Sequence, residues 1–200
     1  MSKYGVPILY CLAAIFIFFI AAIEPSIVPK FALLPKSPEH IPGIFTAVFL
    51  HANLEHLSAN FLTMAVCLFG IFYFYKDIAL AVTLIAHIAT GSLIWLFARQ
   101  VYHIGASGLV YALVFFVLIS ALIKRNKRLA VFAFIVLSLQ SGLIWGMMPQ
   151  NNHISWESHL FGGITGVILA ILFRHKGPQS EPEIIFDEND EEEPDEYAGL

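Results

Sequence analysis

The sequence predicts an all-α, polytopic membrane protein, a bundle of six transmembrane helices with both termini in the cytoplasm. Three observations predict it. Of the 200 residues, 58% are hydrophobic and only 13% charged, with a mean hydropathy of +0.75, whereas a soluble domain carries about a quarter charged residues. The apolar residues fall in runs close to the roughly twenty that a bilayer core asks of one helix. The basic residues gather between alternate runs, which sets an orientation.

The runs follow in order. Tyr4 to Ile23 is a stretch of twenty uncharged residues between Lys3 and Glu24, longer than the apolar core of a signal peptide, and reads as a retained helix. Glu24 to Pro42 holds five of the ten prolines; each pushes its predecessor away from helix, so this segment reads as an outer loop. Leu57–Tyr75 is the second run, reached through Phe45–Leu50 and a polar stretch. Ile78–Ala98 and Val101–Ile123 are the third and fourth. Leu129 to Met148 is the fifth, ended by Pro149-Gln150-Asn151-Asn152, and Ser158–Phe173 is a short sixth of sixteen residues. The membrane domain is thus residues 1–175. Residues 176–200 form an acidic, Pro-containing tail predicted to be disordered in the cytosol.

That tail controls the overall charge of −4, because ten of the fifteen acidic residues lie in the last twenty positions. An N-terminus in the cytoplasm places Lys3, Lys76, Lys124, Arg125, Lys127, Arg128, Arg174 and Lys176 inside, eight of the eleven basic residues. Spans two, four and six then all begin at the outer face.

Several classes drop out. Cys11 and Cys67 sit in apolar runs and offer no disulfide framework. There is no internal repeat, zinc spacing, phosphate loop or nucleic-acid footprint, so neither a metal, another cofactor nor nucleic acid is expected. A transporter would want charge at mid-membrane and inverted repeats, and neither is present.

Ionisable and polar side chains inside a bilayer are costly, so where they cluster is informative. His56 and Asn60 start the second span, Ser107 the fourth and His159 the sixth, all at the outer face. Ser107 lies in Gly105-Ala106-Ser107-Gly108, at a helix N-terminus whose unpaired amides and dipole favour a developing oxyanion. Its hydroxyl needs a base, and His159 is the best placed. Tyr111, one turn below Ser107 on the same face, is positioned to stack on the His159 ring. His56 and Asn60, four apart, share a face as hydrogen-bond donors. Gly162 and Gly166 on the sixth span, and Gly108 and Ala112 on the fourth, form small-residue stripes that permit close backbone approach. Facing each other, they would bring Ser107 and His159 within hydrogen-bond reach. Glu55 and Glu157 adjoin histidines but point to other helix faces, so a dyad rather than a triad is expected. His51 reads as a loop-stabilising hydrogen bonder; His87, His103 and His153 read as structural.

These motifs resemble those of the rhomboid family of intramembrane serine proteases, over residues 1 to about 175. Gly105-Ala106-Ser107-Gly108 is similar to the family's GxSG, His159 with Gly162 and Gly166 to its HxxGxxxG, and His56 with Asn60 to its HxxxN. Ser158 stands where the family often has alanine before the histidine. The resemblance implies a six-helix rhomboid-like bundle, with Ser107 as nucleophile, His159 as general base and Tyr111 stacked on it. His56, Asn60 and the Ser107 backbone N–H would form the oxyanion hole. It implies single-pass membrane proteins as substrates, cut near a helix-unstable segment. The expected setting is the cell (inner) membrane, and the topology read from the basic residues opens the site to its non-cytoplasmic face. The alternative is a catalytically silent rhomboid-like binder of membrane clients.

Overall fold

A computed structural model describes residues 4–140, 142–149 and 155–179. His153 and the tail from residue 180 lie outside these, as does the predicted disorder of that tail. The described residues are helical, with one isolated antiparallel bridge between Leu33 and His103. Four helices are long and apolar enough to cross a membrane: α1 (Gly5–Ile23), α4 (Leu54–Phe74), α5 (Ala79–Phe97) and α6 (Ser107–Lys124). Two short helices, α2 (Ile27–Phe31) and α3 (Gly43–Thr46), separate the first two. After α6 come α7 (Lys127–Leu139), α8 (Leu143–Gly146) and the apolar α9 (Trp156–Leu172).

α6 is the axis of the bundle. Its most hydrophobic stretch is 72% buried against 28% for α1, and Val110, Ala112, Leu113, Val114, Phe116 and Val117 are wholly enclosed. A helix apolar all round is one that is covered all round, here by α4, α5, α7 and, most extensively, α9. The reverse holds at α1, where Leu12, Phe16, Phe19 and Ile23 are exposed. In water that face would be an aggregation patch; in a bilayer, lipid tails cover it. Small residues explain the closeness of α6 and α9: a Cβ built on Gly162 would collide with the carbonyl oxygen of Gly108, and one on Gly166 with that of Ala112.

Three of the spans differ from the sequence reading by three residues or more, each for a local reason. The second span starts at Leu54 because the Asn53 side chain accepts the His56 amide at 2.8 Å and caps the helix there. The fourth span starts at Ser107, not Val101. His103 exchanges backbone bonds with Leu33 at 2.8 and 3.1 Å, and Gly105 takes φ +107°, which breaks the helix just before Ser107. The fifth predicted span, Leu129–Met148, is two helices. At Gln140 the backbone N–H turns back to Leu137, the side chain donates to Thr63 Oγ1 of α4 at 3.2 Å, and Gly142 opens α8.

The Pro-rich loop is not irregular throughout. It contains α2 and a 3₁₀ turn at Pro38–His40. It is tied to the end of α5 by Lys36 N–H to Trp95 O and Trp95 Nε1–H to Ser37 O, both 3.0 Å.

Candidate functional site

The starts of α4, α6 and α9 meet at one end of the bundle. A Cβ added to Gly105 would lie 2.7 Å from the His56 ring and 3.8 Å from Asn60 Nδ2, so both side chains of α4 reach the turn that precedes Ser107. Asn60 is buried and its amide donates one hydrogen to the His56 carbonyl at 3.0 Å, leaving the other for a second acceptor. Across the helix pair, a Cβ on Gly108 would lie 3.3 Å from the Ser158 carbonyl, one residue before His159.

His159 is held in a defined state. Its Nδ1 is 2.8 Å from the Gly146 carbonyl oxygen. A carbonyl can only accept, so Nδ1 carries the proton and, in the neutral ring, Nε2 presents a lone pair. The ring lies flat on Tyr111, with centroids 4.2 Å apart and planes 1° from parallel. Ser107 is half-buried at the first position of α6, one turn from Tyr111. Among the described residues no hydrogen bond joins Ser107 and His159. Catalytic hydrogen bonds often tighten only once substrate is bound.

Glu157 faces away from His159. It is buried and pairs with Arg99 at the end of α5, through Arg99 Nε to Oε1 and Nη2 to Oε2, the latter at 3.2 Å. His103 is also buried, with Nδ1 2.5 Å from Ser155 Oγ and Nε2 3.1 Å from the Arg99 carbonyl; burial holds its pKa below the ordinary value. Ser155 caps α9 and its hydroxyl is 2.6 Å from that of Ser158. This network braces the start of α9, two residues from His159.

The ion pair should break asymmetrically. The Arg99 side chain is 46% exposed and that of Glu157 only 4%. Arg99→Gln strands a buried carboxylate and should cost about 3 kcal/mol. Glu157→Gln leaves an arginine that water can reach and should cost about 1 kcal/mol or less. Melting midpoints of the two variants in one detergent check this; equal losses would contradict it.

His51 precedes α4 and is buried. Its Nδ1 is 3.3 Å from Phe49 O, and its Nε2 accepts the Ala106 amide at 3.3 Å. The ring of His56 stands edge-on to it at 5.1 Å. Burial, then the neighbouring His56, push the His51 pKa down to about 4. His87 pairs with the Tyr10 hydroxyl at 2.8 Å, as a core histidine does.

Sequence reasoning missed the Gly146 carbonyl, the Arg99–Glu157 pair and the His103–Ser155–Ser158 cluster. Arg99 and Glu157 did carry a signal. Both are isolated charges in an apolar body, Arg99 at the end of the third run and Glu157 two residues before His159. The Gly146 carbonyl carried none, since every residue has one.

A family model described as the Rhomboid domain matches residues 38–176. An uncharacterised protein of Mycobacterium bovis is 32% identical over 149 residues, 69% of this chain and 61% of that protein. One of Mycobacterium leprae is 34% identical over 139 residues, 65% of this chain and 55% of its own. The chain therefore spans about three-fifths of the mycobacterial relatives' length. A protein of Acanthamoeba polyphaga mimivirus, provisionally named a rhomboid protein, is 29% identical over 142 residues, 62% of this chain and 71% of that one. With a Rhomboid domain over most of its length and four apolar helices of membrane-crossing size, this chain is an integral multi-pass membrane protein that belongs to the rhomboid family.

Proposed function

We propose that this chain is an intramembrane serine endopeptidase that hydrolyses peptide bonds in or near the transmembrane segments of single-pass membrane proteins. The observation that carries the reading is the state of His159. Its Nδ1 is committed to the Gly146 carbonyl and its ring is clamped on Tyr111, so an unprotonated Nε2 stands at the start of α9, which packs against the start of α6.

In the reaction, Ser107 Oγ attacks the scissile carbonyl carbon while its proton passes to His159 Nε2. The negative charge that forms on the carbonyl oxygen is met by the Ser107 amide, His56 and Asn60. Collapse breaks the C–N bond as His159 returns the proton to the leaving amine. Water, deprotonated by the same nitrogen, then attacks the Ser107 ester; collapse breaks the acyl C–Oγ bond and His159 returns the proton to Ser107 Oγ. No cofactor enters any of these steps.

The topology proposed with it has six crossings, α7 and α8 together making the fifth and α9 the sixth. Both termini face the cytoplasm, and the site opens to the non-cytoplasmic face of the cell membrane. Excess lysine and arginine at 124–128 supports this orientation. Single-cysteine labelling in intact cells should find position 127 closed and position 151 open to an impermeant reagent. Labelling of position 127 from outside would overturn the orientation.

A fluorophosphonate probe tests the activity. The purified protein should be labelled at Ser107 and should cleave a model single-pass substrate. A folded protein that does neither would be the silent client-binding member of the family instead.

His56 and Asn60 have a separate test. If each donates to the oxyanion, His56→Ala and Asn60→Ala lower kcat by roughly 10²-fold with little change in KM. If they only tether α4 to the Gly105 turn, the variants lose about 1 kcal/mol of stability and keep their rate per folded molecule. Melting midpoint and cleavage rate on the same preparations separate the two.

A further inference from the structure

The two bonds of the His51 ring define its chemistry. The Ala106 amide can only donate, so Nε2 of His51 is unprotonated; the neutral ring then carries its proton on Nδ1 and donates to the Phe49 carbonyl. One tautomer satisfies both contacts. The imidazole thus bridges the end of the 3₁₀ turn Ala47–Phe49 to the residue directly before Ser107. The same turn is held a second time by the Gly105 amide donating to Ala47 O at 2.9 Å. Between these anchors Gly105 sits at φ +107°, and the first free turn of α6 begins. A helix start otherwise frays, and its amides point where local bonding leaves them. The Ala106 amide is occupied by His51, which leaves the Ser107 amide as the backbone donor of the proposed oxyanion hole.

We propose that His51 is a positioning residue of this site: by holding the Ala106 amide, it sets the direction of the Ser107 amide and hydroxyl. The inference rests on the serine-protease reading and deepens it. His51 touches no reacting atom. It acts through one backbone bond, so a change of reach should matter more than a change of charge.

Two amide substitutions differ only in reach. In His51→Gln the side-chain oxygen extends to the place of Nε2 and accepts the Ala106 amide. In His51→Asn the chain ends at the level of Nδ1 and keeps only the Phe49 carbonyl. The experiment measures fluorophosphonate labelling of Ser107, cleavage of a model substrate and melting midpoint on full-length protein in detergent. His51→Asn should label about 10-fold more slowly or worse and lose kcat by a similar factor at unchanged KM. His51→Gln should stay within about threefold of the parent. Equal rates in the two variants, fast or slow, overturn the proposal. Should His51→Asn fail to fold, His51→Met fills the volume without either polar atom: slow labelling supports the proposal, and the parent rate overturns it. Failure of the parent protein itself to label would instead overturn the protease reading, so the two failures are distinguishable.

Discussion

Ser107→Ala and His159→Ala are each expected to abolish cleavage of a single-pass substrate, lowering kcat by at least about 10⁴-fold while the fold is kept. Ser107 is half-buried at a helix start, and the loss of its one hydroxyl oxygen opens no cavity of consequence. His159→Ala removes a ring stacked on Tyr111 and the bond to Gly146, so some stability goes with it. The two groups act as a unit: without the base the hydroxyl is a poor nucleophile, and without the nucleophile the base has no proton to take. The double variant should therefore be scarcely slower than either single one, not slower by the product of both losses. Cleavage rates at equal folded concentration check this. Substantial residual proteolysis in Ser107→Ala would show that another group attacks the peptide bond.

Gly166→Leu should prevent α6 and α9 from packing. A Cβ at position 166 would collide with the Ala112 carbonyl oxygen and come within 2.9 Å of both Phe115 Cβ and the Phe116 amide nitrogen. These are backbone atoms or atoms next to it, and α6 is enclosed by α4, α5 and α7 on its other sides. Nothing can give way, so the loss should be about 3 kcal/mol or more, at the upper end of overpacking costs. Gly162→Ala meets the Gly108 carbonyl in the same way, less than one turn from His159. It should therefore lower activity per folded molecule as well as the melting midpoint. Gly163→Ala is the control. Its nearest neighbours are the Met147 sulfur and the Phe115 ring edge, each at 3.3 Å and able to swing aside. It should melt within about 1 kcal/mol of the parent. Equal melting of the Gly163 and Gly166 variants would mean that the glycine stripe is not what lets the helices approach.

The pairing of those stripes was legible in the chain. Gly162 and Gly166 lie four apart on one helix, Gly108 and Ala112 four apart on another, and a spacing of four puts residues on one face whatever surrounds them. The same holds for the apolar character of α1, α4, α5 and α6. Hydropathy is a property of a contiguous run, and each run is long enough to be read alone. Breaks within runs were not legible. Val101–Ile104 is as apolar as a helix, yet it is held extended because His103 finds backbone partners in Leu33, seventy residues away. Gln140 could have continued a helix, but its side chain has a partner in Thr63.

By itself, the sequence determined that this is a membrane-embedded helical protein with Ser107, His56, Asn60 and His159 at helix starts. These are matters of composition and short-range spacing, which the chain carries wherever it folds. The tertiary structure alone decided how each group is held: the Gly146 carbonyl that orients His159, the Arg99–Glu157 pair across 58 residues, and the His51 ring on the Ala106 amide across 55. Backbone carbonyls and amides have no signature in a sequence, and partners so far apart meet only once the helices have packed.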